Sequence, residues 1–199
     1  MSGPPATLDY RSYRRLLARA GPPWMGWFEL GSRHEAELGF AVHAAFVEGR
    51  LVMVRNRRRL CWELPGGRRE AGESILETAR RELHEECGAH PRSLLPWCGY
   101  SVRLGERLTH GLFCLTLLDD LPGPPAGSEI AEARSVADLP GPLCYPQIQG
   151  RLLAELGRTV SRLPWFCQPP PLDEALLSTL ADSPPPRGAI PPPPQNPTP

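Results

Sequence analysis

Apolar and polar positions follow two different rhythms along this chain. Between residues 38 and 64 the apolar residues come in short runs, LGFAVHAAFV, LVMVR and LCWEL, bounded by polar and glycine breaks, which predicts strands. Glu48-Gly49-Arg50 separates the first two runs and predicts a hairpin turn. After residue 73 the rhythm changes. Ile75, Ala79, Leu83 and Cys87 recur every four residues, so they share one face of a helix. Ser74 with Glu77 three places on fits a capping box, and Gly88 suits the position past the helix end, where φ turns positive. Further strands are predicted over 97–104, 111–117 and 131–136. A second helix is predicted over 146–160, with Ile148, Leu152, Leu153, Leu156 and Val160 as its apolar stripe. This order of strands, helix, strands, helix predicts an α+β or layered α/β domain.

The flanks obey neither rhythm. Residues 1–35 read as a leader: LDYRSYRRLLARAG predicts a short amphipathic helix ended by Gly21-Pro22-Pro23. Trp24, Trp27 and Phe28 are expected to cover the core of a main domain spanning 36–163. Residues 164–199 hold 13 of the chain's 26 prolines. Proline lacks an amide donor, so this tail is expected to be extended or disordered. An inert tail is the simpler expectation; a polyproline ligand for a protein partner is the alternative.

Composition narrows the function classes. A chain of 199 residues carries one domain with a sizeable core. Basic and acidic residues balance at 22 each, every basic one an arginine, so nothing in the net charge argues for a long nucleic acid or an anionic membrane. No apolar run is long enough to span a bilayer or to act as a secretory signal. The six cysteines form no CxxC pair, which argues against a structural zinc site. A reduced, cytoplasmic protein is expected.

One cluster calls for chemistry. Glu82, Glu85 and Glu86 fall at i, i+3 and i+4 of the predicted helix and share a face. At that spacing like charges cost a few tenths of a kcal/mol each, which Arg81 offsets only in part. A solvated acidic face is one reading. The other is a hard divalent cation, Mg²⁺ or alternatively Mn²⁺, which takes several carboxylate oxygens and binds phosphates. Gly66 and Gly67 just upstream would let backbone approach such a ligand closely.

The spacing favours the cation. Gly67, five residues, Glu73, seven residues, then Arg81-Glu82-Leu83-His84-Glu85-Glu86-Cys87-Gly88-Ala89 resembles the Nudix box, G-x5-E-x7-R-E-U-x-E-E-x-G-U, with U a bulky aliphatic residue. Every fixed position matches; Ala89 departs at the last aliphatic one, which bears on packing and not on catalysis. The resemblance extends over about residues 36–160.

It implies an α/β/α sandwich with a mixed sheet, and hydrolysis of a nucleoside diphosphate linked to another group. Glu82, Glu85 and Glu86 would hold Mg²⁺, with the Gly66 carbonyl as a further ligand. Arg81 would orient the carboxylates, Glu73 would stabilise the loop–helix unit, and Gly67 and Gly88 would be structural. Glu82, Glu129 and Glu132 are the candidates for the base that takes a proton from water. Arg57, Arg58 and Arg59 in RNRRR would meet substrate phosphates or else form a solvated turn. The stretch CWELPGG is similar to MutT-like members, so a (d)NTP pyrophosphohydrolase is the first expectation for the substrate. An ADP-ribose or nucleoside-diphosphate-sugar pyrophosphatase comes second and an RNA 5′-end pyrophosphohydrolase third. A non-catalytic ligand-sensing or protein-binding module is the alternative of another class. His43 and His110 are expected to be structural, and His84 is assigned no role.

Overall fold

The computed structural model describes Arg15, residues 17–19 and residues 21–161. The described residues before Ala20 are helical. The rest of that helix and the Pro-rich tail lie outside the described residues.

Strands β1 (Trp24–Phe28), β2 (Leu38–Val47), β3 (Arg50–Asn56), β4 (Trp62–Glu63), β5 (Gly66–Arg68), β6 (Pro91–Leu104), β7 (Arg107–Leu118) and β8 (Ile130–Val136) join in one sheet. Its main path runs β1-β6-β7-β2-β3-β4, with β5 pairing β2 and β8 pairing β3. The β2–β7 ladder is parallel and the others antiparallel, so the sheet is mixed. Helix α1 (Ile75–Cys87) and helix α2 (Pro146–Ser161) complete the layers.

Each helix buries its stripe on a different part of the core. Ile75 and Ala79 of α1 pack with Leu38, Ala41 and Leu112, and Leu83 and Cys87 pack with Ala45, Val52 and Ile130. Ala89, the departure from the box, is buried in the latter group. On the other side, Leu152 and Leu156 of α2 join Phe46, Met53, Trp97 and Phe113. Neighbouring β2 residues therefore serve opposite layers, Ala44 one and Ala45 the other, as strand alternation requires.

Several elements differ from the sequence expectation. Trp24–Phe28 is a strand paired to β6, and from it Trp27 and Phe28 pack against the core clusters. The LCWEL run yields only the two residues of β4. Strand β6 starts at Pro91, not at 97, and its register shifts beside Pro91 and Pro96. Proline has no ladder donor, so it is accommodated at such irregularities. The reduced state expected of all six cysteines does not hold: Cys61 and Cys144 are disulfide-bonded, while Cys87, Cys98 and Cys114 are free and buried.

Candidate active site

The glycine loop and the start of α1 fold together because two side chains are absent. Gly66 has φ 143°, and a Cβ there would collide with the Ala41 carbonyl. A Cβ on Gly67 would lie 2.5 Å from the carboxyl group of Glu82. The loop thus lies flat on β2 and presses its backbone against the helix carboxylates. The Gly66 N–H donates to Glu86 Oε2 at 2.7 Å. Ser74 caps α1 by accepting the Glu77 N–H, and Glu77 Oε2 accepts the Ser74 N–H in return.

Arg81 is the hub of this wall. Its Nε donates to Glu73 Oε1 at 2.6 Å, and its Nη1 to Glu82 Oε1 at 2.8 Å and Glu85 Oε2 at 3.0 Å. Its Nη2 reaches the Arg68 carbonyl at 2.8 Å and Glu73 Oε2 at 3.1 Å. One guanidinium therefore ties loop, helix start and two helix carboxylates together, a use of its fork that an ammonium would not match. Arg81 holds the Glu73 carboxyl down at about 2, against some burial and with help from the Glu70 N–H and Thr78 hydroxyl.

The remaining carboxylates are short of positive charge. Burial pushes Glu86 well above the usual range; nearby Glu63 adds to this, the Gly66 N–H opposes it, and Glu82 and Glu129 add further. Burial also raises Glu82, against the pull of Arg81.

The facing wall comes from distant parts of the chain. Buried Asn56 accepts the N–H groups of Arg58 and Arg59 at 3.0 Å each, and its carbonyl accepts the Leu60 N–H. This closed turn directs Arg59 inward, where it pairs with the buried Glu63 and sits 5.6 Å over the Tyr145 ring. Burial raises Glu63, and Arg59 counters it. In the first turn of α2, Gln149 Oε1 accepts the Leu64 N–H at 3.1 Å. Ser128 donates to the Glu85 carbonyl and accepts the Ile130 N–H, which brings the loop carrying Glu129 to the end of α1. Both walls border one open cleft of about 1670 Å³. Its apolar part includes Phe40, Val42, Ile148 and Leu152.

A family model described as NUDIX domain matches residues 38–156. The chain belongs to this family. Human "8-oxo-dGDP phosphatase NUDT18" is 38% identical over 63 residues, covering 28% of this chain and 20% of that protein. The chain thus spans a fifth of that curated relative's length. Among solved structures, a point mutant of the Bacillus subtilis pyrophosphohydrolase BsRppH aligns with TM-score 0.55 at 19% identity, over 68% of this chain and 91% of that one. A putative nudix hydrolase family member from Chromobacterium violaceum aligns with TM-score 0.51 at 19% identity, over 75% and 95%. At these identities the alignments speak to the Nudix fold alone, and the α/β/α sandwich with a mixed sheet agrees with them.

The other predicted residues separate in space. Glu129 is exposed at the mouth of the Nudix cleft. Glu132 lies away from it, 3.9 Å from Arg55 and 3.6 Å from Arg134. Of the three arginines only Arg59 lines the cleft. Arg57 donates to the Ile130 carbonyl at 3.1 Å and anchors β8, and Arg58 is exposed. His43 is fully buried, with Nε2 on the Ala79 carbonyl and Nδ1 on Thr116 Oγ1, both at 2.9 Å. His110 bonds Ser101 Oγ at 2.8 Å, and His84 stacks on His90. Sequence reasoning missed Glu63, Tyr145 and Gln149. Glu63 left a signal, a lone charge inside an apolar run against the glycine loop. Tyr145 and Gln149 left none, since only the tertiary fold brings α2 to that loop.

Among the described residues, no three acidic, imidazole or thiol groups already converge as a ready-made ion site. The donor set nevertheless fits a hard divalent cation. It is all oxygen, it surrounds the buried Glu86 with further negative charge, and the missing Cβ of Gly67 leaves the Glu82 carboxylate room against the backbone.

Proposed function

We propose that this chain is a Mg²⁺-dependent hydrolase of a pyrophosphate bond in a nucleoside di- or triphosphate, with a purine (d)NTP pyrophosphohydrolase of MutT type as the first form. The observation that carries this reading is the junction of two walls in one cleft: the box carboxylates with their glycine loop on one side, and the apolar Phe40, Val42, Ile148 and Leu152 on the other. The activity named for the human relative, on an oxidised purine nucleotide, supports the same substrate class.

Glu82, Glu85 and Glu86 are the residues to hold the cation, with the Gly66 carbonyl beside them. Mg²⁺ bound there would neutralise charge on phosphate oxygens and lower the pKa of water. Arg81 keeps Glu82 and Glu85 aligned, and Glu73 keeps Arg81 in place. Arg59 presents a guanidinium to the phosphates, oriented by Glu63 and Tyr145. Glu129 is the preferred base for the attacking water, because it borders the cleft while Glu132 is held by Arg55 and Arg134. The apolar surface excludes water from the nucleoside side.

The test is a panel of dNTPs, dNDPs, their 8-oxo forms and ADP-ribose, with phosphate and pyrophosphate release measured with Mg²⁺ and with chelator. Chelator-sensitive release that Glu86→Gln abolishes is expected. Release that is absent for every nucleotide, or indifferent to that substitution, overturns the reading.

A further inference from the structure

The loop from β5 to α1 is held at both ends by a short turn that lies ahead of the matched Nudix region. Glu35–Glu37 forms one 3-10 turn just before β2, and the family match begins at residue 38. Glu35 Oε1 accepts the Ile75 N–H at 2.7 Å. Ile75 is the first residue of α1, so its N–H has no acceptor inside the helix. Ser74 serves the Glu77 N–H and leaves this one to a carboxylate 40 residues away. A negative charge there also suits the positive end of the helix dipole. At the other end of the loop, Arg69 Nη1 and Nη2 donate to the Glu35 and Ala36 carbonyls, each at 2.9 Å. The turn is itself braced. Glu37 Oε1 accepts the His34 N–H, and Glu37 Oε2 pairs with Arg33.

These anchors close residues 69–75 into a ring through the turn. Arg81 takes its loop contacts beside the two ends of that ring. Its Nη2 donates to the Arg68 carbonyl, next to Arg69, and its Nε to Glu73, two residues before Ile75. The same guanidinium holds Glu82 and Glu85. A shift of either end therefore passes through Arg81 to the carboxylates. Glu35, Ala36 and Glu37 are exposed, and exposed polar contacts contribute little to global stability. What the turn fixes is the shape of the loop.

We propose that Glu35 is a positioning residue for the carboxylate wall. With Arg69 it holds the end of β5 and the start of α1 at the spacing that lets Arg81 align Glu82 and Glu85 for a divalent cation. The proposal rests on the metal-site reading above and not on which nucleotide is cleaved.

Two substitutions separate the hydrogen bond from the side chain's bulk. Glu35→Ala leaves the Ile75 N–H without its acceptor, whereas Glu35→Gln keeps an amide oxygen for it. The first readout is Mn²⁺ binding to the nucleotide-free protein by titration calorimetry. Metal-free melting temperature is measured beside it, with kcat and KM for dGTP in Mg²⁺. Glu35→Ala is expected to weaken Mn²⁺ binding and lower kcat by about tenfold each, as for other partners that orient metal ligands. KM should stay within about twofold, and the melting temperature should fall by no more than about 4 °C, the worth of one helix cap. Glu35→Gln should regain most of both losses. Arg69→Ala should repeat the pattern, and the double variant should lose no more than the worse single one, because either end alone opens the ring. Unchanged Mn²⁺ affinity in both Glu35→Ala and Arg69→Ala overturns the proposal. So does a loss that Glu35→Gln shares in full, or one that only follows a collapse in melting temperature. A wild type that binds no Mn²⁺ overturns this proposal together with the metal site. A wild type that binds Mn²⁺ in this Glu35-dependent way yet hydrolyses no nucleotide supports the positioning role and overturns the hydrolase reading.

Discussion

Gly67 and Glu82 meet because one residue has no Cβ. A methyl group at 67 would stand 2.5 Å from the Glu82 carboxyl carbon, so either the loop lifts from β2 or the carboxylate turns away. Gly67→Ala is therefore expected to lower kcat by about a hundredfold, the cost of roughly an ångström of misplacement in a reacting site. Nucleotide binding should change far less, so kcat and KM measured together check it. Glu86 behaves differently. It is 5% exposed, surrounded by Glu63, Glu82 and Glu129, and satisfied by one N–H. Glu86→Gln keeps an acceptor for the Gly66 N–H and removes an uncompensated charge, so the metal-free melting temperature should hold or rise. The same variant should lose most of the stabilisation that Mg²⁺ gives the wild type, since a ligand stabilises only what it binds. Hydrolysis should fall by several powers of ten. Thermal melts with and without Mg²⁺, beside kcat, test all three. The box carboxylates and Arg81 were legible in the sequence because their spacing is local to one helix. Tyr145 and Gln149 were not, because contacts separated by 85 residues, such as Gln149 with Leu64, leave no periodic trace.

Among the elements, α1 was the most legible. Its capping box, four-residue apolar repeat and terminal glycine all point to the same span, and the helix occupies it. The β2–β3 hairpin was equally plain, with Glu48 and Gly49 both at positive φ as a tight turn of this hand requires. Strand β5 was hidden, since Gly66–Arg68 has no strand propensity and is held by pairing with β2. His43 shows how α1 is fixed to the sheet. Its ring joins the Ala79 carbonyl on the helix to Thr116 on β7, which sets Nε2 as the protonated nitrogen. Burial lowers this imidazole from 6.5 to about 4, with the Ala79 carbonyl opposing. The unfolded chain therefore takes up a proton near pH 6.5 while the native state stays neutral until about pH 4. Stability from this group is complete above pH 6.5 and is lost as pH falls to about 4, by about 3 kcal/mol. Denaturant midpoints across that window should show a steeper fall for the wild type than for His43→Gln, whose side chain does not titrate.

On the scale of the whole molecule, the cleft depends on a covalent link that the sequence did not announce. Cys61 and Cys144 are 83 residues apart, and the loop they close contains the glycine loop, α1 and strands β4 to β8. Closing a loop of that length removes entropy from the unfolded chain worth about 4–5 kcal/mol on a chain-entropy model. Reduction should thus lower the melting temperature by about 10 °C for a domain of this size. The link also has a local consequence. Cys61 follows the turn that presents Arg59 and precedes Glu63, and Cys144 precedes Tyr145 and Gln149. Cys144 and Trp62 are further joined by a backbone hydrogen bond of 2.7 Å. All four cleft residues therefore lie within five positions of the disulfide, whereas Arg81 and the box carboxylates are fixed by α1 and the glycine loop. Breaking the bond should loosen the nucleoside wall and spare the carboxylate wall, raising KM with little change in kcat. Cys87, Cys98 and Cys114 are already free thiols, so among the described residues reductant acts on one pair. Melts and steady-state kinetics of the wild type with and without dithiothreitol, beside Cys61→Ser/Cys144→Ser, check this. The reduced wild type and the double variant should agree in both measurements. A melt indifferent to reductant would mean that the native protein does not carry the bond, and kcat falling with KM unchanged would mean that the bond supports the carboxylate wall instead.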